Sequence, residues 1–242
     1  MTTPRAVKGA VAMLAVAILA LAAALSACGS TSGPSKNPSK NPSSATSAPP
    51  AAPAAVETAL LNADQINPMM GTSDMTSSQP FTQLLENRTM LPNLNCLGIW
   101  SVAESAIYGD SGLTAIRGQV FRSPNDDNWQ SKVVEAVITY PSADGAKKFF
   151  RASADRWSKC TQHTSRITVN DLPMTTLFFA DLNRSDTRLT MPVTRNNDRG
   201  ERDCQRDLSI SNNVIIDVTA CGKAVTDQAA KIADQIQSRL PH

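Results

Sequence analysis

Of the residues able to do chemistry in this chain, the five cysteines stand out, and the first is set apart from the other four. Cys28 ends the tetrad Leu25-Ser26-Ala27-Cys28, directly after an apolar run over residues 10–25 that follows the basic Arg5 and Lys8. A charged start, an uncharged apolar stretch and small residues at the exit are the parts of a secretory signal peptide. The run is shorter than the roughly 20 residues that a spanning helix needs. The tetrad therefore reads as a lipobox. Residues 1–27 are expected to be removed, leaving Cys28 as an acylated N-terminus. Its thiolate is the nucleophile that takes a diacylglyceryl group, and cleavage frees an amine for a further chain. Each buried methylene contributes about 0.8 kcal/mol and one chain holds only marginally, so two or three give stable anchoring. The expected place is extracytoplasmic, lipid-anchored to the cell membrane.

The full chain holds 23 basic and 21 acidic residues. Cleavage removes Arg5 and Lys8 and no acid, which leaves the mature chain neutral. That balance argues against nucleic acid, or an anionic lipid surface, as the main partner. Residues 28–55 read as a spacer: six prolines, many Ser, Ala and Asn, and only Lys36 and Lys40 charged. Such a composition cannot bury enough apolar surface to offset its ordering entropy. It would reach about 30 Å as a coil and about 80 Å as polyproline II. Residues 56–242 are expected to form one domain with its own core.

Four cysteines fall in that domain: Cys96, Cys160, Cys204 and Cys221. None belongs to a Cys-x-x-Cys pair and the chain has two histidines, so neither a zinc site nor another cofactor is expected. An even number in an exported domain reads as two disulfides. Cys204 and Cys221 bracket two β-like runs, 205–211 and 214–220, around Asn212-Asn213. Asparagine tolerates the left-handed conformation that a type I′ hairpin requires at both central positions. With a two-residue loop Ser211 faces Val214, and counting outward sets Cys204 opposite Cys221 in a non-hydrogen-bonded pair, within bridging range. One side of this register is awkward, because Val214, Ile216 and Val218 then face Ser211, Ser209 and Asp207. A bulge or a longer turn would shift the count. Cys96–Cys160 follows by elimination. In the chain-entropy account the short and long loops contribute roughly 3 and 4 kcal/mol.

The elements that position these residues are mixed. Residues 56–70 suit one or two short helices broken or bent at Pro68, residues 71–79 read as a loop, and residues 101–108 as a short helix. Strands are expected at 113–122, 132–140, 166–170, 174–181 and 187–193. Ser142 caps a helix with Ala146, Phe149, Phe150, Ser153 and Trp157 on one face. Thr226 opens a last helix whose face is Ala229, Ile232, Ala233, Ile236 and Leu240, supported by an Asp227–Lys231 pair. Short turns between strands and few helices point to α+β, a central, largely antiparallel sheet with helices packed on one face.

On these residues a resemblance rests. The runs Cys96-Leu97-Gly98, Tyr108-Gly109-Asp110-Ser111-Gly112 and Ala115-Ile116-Arg117-Gly118-Gln119 are similar to PknH-like extracellular sensor domains of mycobacteria. So are Thr139-Tyr140-Pro141-Ser142-Ala143 before an aromatic helix, Trp157-x-x-Cys160, and the late Cys204/Cys221 pair. The resemblance covers residues 57–240. It extends to mycobacterial lipoproteins with a lipobox, a Pro/Ser-rich spacer and no kinase. It implies an antiparallel sheet flanked by helices, two disulfides, and a cleft for an unidentified extracellular ligand, without catalytic residues. The chain holds no kinase sequence and is not expected to signal by phosphorylation itself.

Three functions are weighed. The first is a non-catalytic sensor-type lipoprotein that binds a small molecule or envelope component in a cleft. Tyr108, Arg117 and Tyr140, which flank the family-like motifs, are its candidate ligand contacts, against the plainer reading of packing at the edge of the core. The second is an adaptor that docks on another membrane or envelope protein. A serine hydrolase is a distant third: Gly109-Asp110-Ser111-Gly112 imitates a nucleophile loop, with His163 as the one histidine inside the domain before the terminal His242. Ordinary turn chemistry explains that tetrad. Asn125-Asp126-Asp127-Asn128 lacks the spacing of a calcium loop. The charged run 195–203 reads as an exposed loop whose Arg195, Arg199 and Arg202 offer contact to an anionic partner.

Overall fold

The computed structural model describes residues 49–168 and 174–241. Cys28, the signal segment, the spacer as far as residue 48, the end of the strand expected at 166–170, and His242 lie outside them. In chain order the helices are α1 (Ala63–Met70), α2 (Leu94–Trp100), α3 (Ser105–Tyr108), α4 (Ala143–Trp157) and α5 (Gln228–Gln237). The strands are β1 (Thr76–Ser77), β2 (Ala115–Ser123), β3 (Ser131–Thr139), β4 (His163–Ile167), β5 (Thr175–Phe179), β6 (Asn183–Arg184), β7 (Arg188–Asn197), β8 (Gly200–Ser211) and β9 (Val214–Gly222). They form one antiparallel sheet in the order β1-β2-β3-β9-β8-β7-β5-β4, with β6 pairing β7.

The sheet is covered on both faces, where covering on one face was expected. From Val133 to Thr139 every residue of β3 is buried, and all but one residue of β9 is. Successive strand residues point to opposite faces, so both sides must be dry. On one side Val134, Ala136, Ile138, Leu208 and Ile215 pack with Phe149, Phe150 and Trp157 of α4 and with α2. On the other, Val133, Val137, Ile216 and Val218 pack with Ile66 of α1 and with Ile232 and Ile236 of α5. The α+β class, the antiparallel sheet and both disulfides, Cys96–Cys160 and Cys204–Cys221, are as expected.

The hairpin keeps the counted register, with Cys204 opposite Cys221, Cα atoms 4.0 Å apart, and Ser211 opposite Val214. Its turn differs from type I′: of the two loop residues only Asn212 has positive φ, 52°. Asn213 is drawn inward. Its side chain accepts from the Ala51 amide (2.7 Å) and donates to the Ala51 and Tyr140 carbonyls. The awkward side of the register is resolved by α5, which covers it. Arg188 pairs with the buried Asp207 at 3.1 Å and also with Asp234 of α5, while Gln205 accepts from the Ala230 amide.

α4 starts at its Ser142 cap, which accepts from the Gly145 amide at 3.2 Å. Gly71 closes α1 at φ 65°, a backbone conformation that suits glycine. Gly118 answers to a neighbour: Phe81 exchanges backbone hydrogen bonds with it, and a Cβ there would stand 2.1 Å from the Phe81 ring. The run 195–203 is the β7–β8 hairpin end, paired from Arg195↔Arg202 to Asn197↔Gly200, with Arg202 buried.

Candidate functional site

On the α4 side of the sheet a cleft of about 370 Å³ opens past the C-terminal end of α2. Its floor is Val120, Val134, Thr219 and Cys221, and its walls carry two tryptophans, Trp100 and Trp129. The register explains why polar and aromatic groups meet there. Arg122, Lys132, Cys221, Cys204 and Val193 are successive partners across β2, β3, β9, β8 and β7. Arg195, two residues beyond Val193, points to the same face and also lines the cleft. The Cys204–Cys221 bridge thus ties the floor beneath three cations.

Those cations are Arg122, Lys132 and Arg195. Arg122 and Lys132 stand directly opposite each other, an arrangement in which like charges destabilise a sheet. Trp129, from the β2–β3 turn, touches two of the three: its ring centre is 4.8 Å from the Arg195 guanidinium and 5.7 Å from Lys132 Nζ. Each such cation–π contact contributes about 0.5–1 kcal/mol when exposed and more when desolvated. Burial, with Arg122 and Arg195 nearby, pushes the Lys132 ammonium down to about 8. Burial, then Arg202 and Arg199, lowers Arg195 as well. Against this, Asp127 lies 3.9 Å from Arg122 and is mostly exposed, and Glu86 is exposed at the rim.

The rim of the cleft is held by a buried polar network. Asp217 of β9 pairs with Arg206 of β8 and accepts from the Ala103 amide (2.9 Å) and the Tyr108 hydroxyl (2.8 Å). Ala103, at φ 51°, in turn accepts from the Leu85 amide. Its neighbour Glu104 accepts from the Asn87 amide at 3.0 Å, and the Asn87 side chain donates to Ser101. Leu85, Asn87 and Ser101 all line the cleft. The carboxylate in the middle of the sheet therefore sets the loop at its mouth.

None of the three ligand contacts expected from the sequence lines this cleft. Tyr108 and Tyr140 are buried, both stacked on Phe149, at 4.2 and 5.8 Å. The Tyr108 hydroxyl is spent on Asp217 and that of Tyr140 on Ser111 Oγ (3.1 Å). Burial pushes both phenols up, Tyr140 to a far higher value than an exposed tyrosine. Arg117 lies on the α5 side, paired with Glu57 at 3.2 Å. Ser111 thus meets a tyrosine, while His163 sits on β4, the last strand in the sheet order. Among the described residues no group of three or more His, Cys, Asp or Glu could hold a metal ion. Trp100, Trp129, Arg122 and Lys132 were not legible as a site, because a turn and a strand register bring them together. Of the cleft cations, the sequence points to Arg195 alone, for its charge.

Fold and site define an extracellular type of α+β domain, cross-linked by two disulfides, with a cleft and no assembled catalytic group among the described residues. The chain belongs to the PknH-like extracellular domain family, whose pattern it matches over residues 51–239. It is 34% identical over 181 residues to the serine/threonine-protein kinase PknH of Mycobacterium bovis, covering 75% of this chain and 30% of the kinase. The corresponding kinase of Mycobacterium tuberculosis is also 34% identical over 181 residues, covering 75% of this chain and 28% of the kinase. The chain thus spans about 30% of the length of the curated relatives it matches. The crystal structure of the extracellular domain of PknH from Mycobacterium tuberculosis superposes with a TM-score of 0.71 at 33% identity, covering 79% of this chain and 97% of that one. The region of the kinase seen in that structure is its extracellular domain.

Proposed function

We propose that this chain is a lipid-anchored extracytoplasmic lipoprotein of the sensor type, which binds a small molecule or envelope component in the cleft beside Trp129 and does no chemistry on it. The observation that carries the reading is the cleft itself: two tryptophans and three cations around an apolar floor. Partly apolar concavities with a few convergent polar groups are where small ligands bind. The adaptor reading has less to rest on, since the exposed large apolar side chains among the described residues are Leu94, Met174 and Phe178. Cys28 supplies the anchor.

Native mass spectrometry of the full chain from a mycobacterial host tests the cleft. A small molecule should travel with the native protein and be lost from Trp129→Ala; a native protein that arrives empty counts against the reading. The anchor has its own test. Cys28→Ala should remove the acyl mass and move the protein from the membrane fraction to the soluble one, with its circular dichroism unchanged. Persistent sedimentation of that variant with membranes would refute the lipobox.

A further inference from the structure

We propose that the ligand of this cleft carries a phosphate group, held among Arg122, Lys132 and Arg195, with its ring or apolar part against Trp129 and Trp100. The inference rests on the cleft being the binding site, and it adds the chemistry of what enters. Three observations carry it. Arg122 and Lys132 face each other across β2 and β3 with no carboxylate in the register between them. A like-charged cross-strand pair is unfavourable by itself, and an anion bridging the two turns repulsion into attraction. Secondly, Arg122 Nε and Arg195 Nε are both buried N–H groups without a hydrogen-bond partner among the described residues. Buried donors are nearly always satisfied, and a guanidinium presents its donors in a fork that fits phosphate oxygens. Thirdly, the Arg195 and Lys132 heads both lie against the Trp129 ring, at 4.8 and 5.7 Å, and all three residues line the one cleft.

Charge favours phosphate over a single carboxylate. Three cations face one mostly exposed aspartate, Asp127, and one exposed glutamate, Glu86, at the edge. A phosphate monoester brings close to two negative charges at neutral pH. Burial, and after it the Arg122 and Arg195 guanidinium groups, hold Lys132 down at about 8, and a bound dianion would raise it again.

Tryptophan fluorescence of the full chain tests this, because two of the three tryptophans line the cleft and the third, Trp157, is 1% exposed. Phenyl phosphate is the probe and phenol its uncharged match. Phenyl phosphate should give a saturable change at least about tenfold tighter than phenol, weakened by salt, with inorganic phosphate competing. Arg195→Gln and Lys132→Gln should each weaken it about tenfold, and Lys132→Arg should restore it; melting curves of the variants show that they are folded. Dihexanoyl phosphatidic acid, in place of phenyl phosphate, separates the sources: tighter binding assigns a lipid headgroup, weaker binding a soluble phosphomonoester, and both support the phosphate. If phenol binds as well as phenyl phosphate and Trp129→Ala abolishes both, the phosphate is wrong and the cleft reading stands. If neither gives a saturable change, the phosphate is likewise overturned, and native mass spectrometry decides the cleft separately.

Discussion

Replacing Asp217 by alanine should lower the stability of the domain by about 3–5 kcal/mol, the range for removing one partner of a buried ion pair. Asp217 is fully buried and Arg206 is 1% exposed. The substitution leaves the Arg206 guanidinium with only backbone carbonyls such as Val218 O at 2.8 Å and the face of Trp157, and without its carboxylate partner. It also strips the acceptor from the Ala103 amide and the Tyr108 hydroxyl. Ala103 sits in the left-handed region at φ 51°, which is unfavourable for a residue with a Cβ and persists because its surroundings fix it. Urea unfolding at pH 7 measures the loss, and the melting temperature should fall by about 6–20 °C. Hydrogen exchange should rise at Leu85 and Asn87, whose amides depend on Ala103 and Glu104. Asp217→Leu combined with Arg206→Met should recover much of the stability, since neither member of this buried pair is then left without its partner. A loss below about 1 kcal/mol for the alanine variant, or a double variant no better than the single one, would contradict this account.

The parts of the fold that were legible in the sequence share one property: local pattern and tertiary demand agree there. α4 has its cap at Ser142 and its buried stripe at Phe149, Phe150, Ser153 and Trp157 because a helix on a sheet needs one apolar side. α5 has the same logic and carries its Asp227–Lys231 pair at 2.9 Å, although its cap is Asp227 and the Gln228 side chain, not Thr226, closes the start. The hairpin register followed from Cys204 and Cys221, since residues per strand are countable once the loop length is known. α2 was missed for a physical reason. Cys96, Leu97, Gly98 and Ile99 are all buried, so no polar side exists to create a helical period. The second helical layer was missed because buried polar residues broke the apolar alternation of β8: Asp207 and Ser209 look solvent-facing until Arg188 and α5 are placed over them.

The cleft shows the limit from the other direction. Lys132 and Arg122 are ten residues apart in sequence but become register partners, and Arg195 arrives from four strands along the sheet order. No spacing rule connects such residues, because hydrogen-bonded pairing and sheet order are global properties. The tyrosines, by contrast, sit beside the recognisable motifs because those motifs build the core: Tyr108 and Tyr140 fix α3 and the start of α4 through Phe149. In this domain those motifs build scaffold, and the cleft is lined, Cys221 apart, by residues that lie outside them.

Raising the pH from 5 to 9 should destabilise the protein, against the common expectation that paired carboxylates gain stability as they ionise. Glu135 of β3 is fully buried on the α5 side, among Val133, Val137 and Ile216, and accepts one hydrogen bond, from the Leu61 amide at 2.9 Å. Burial pushes its carboxyl from 4.5 to about 8, with Leu61 and Arg239 pulling the other way. Asp207, beside Arg188, is pushed in the same direction, to about 7, again chiefly by burial. The sign follows from proton counts. Below about pH 4.5 folded and unfolded chains both hold the Glu135 proton, and its contribution to stability is complete. Between about 4.5 and 8 the unfolded chain releases the proton while the folded one keeps it, so stability falls steadily and levels off above about 8. For Glu135 alone that interval corresponds to on the order of 5 kcal/mol. Glu135→Gln keeps an oxygen for the Leu61 amide and has no proton to lose. Urea midpoints at pH 5, 7 and 9 should therefore fall much less in the variant, which should be the more stable protein at pH 9 and close to the native one at pH 5. Parallel curves for the two proteins would mean that Glu135 is already ionised in the fold, and a stability that rises with pH would reverse the sign for Asp207 as well. Because Leu61 follows the 3-10 turn Pro53–Glu57 through which the chain enters the domain, the same titration bears on how firmly its N-terminal end is seated.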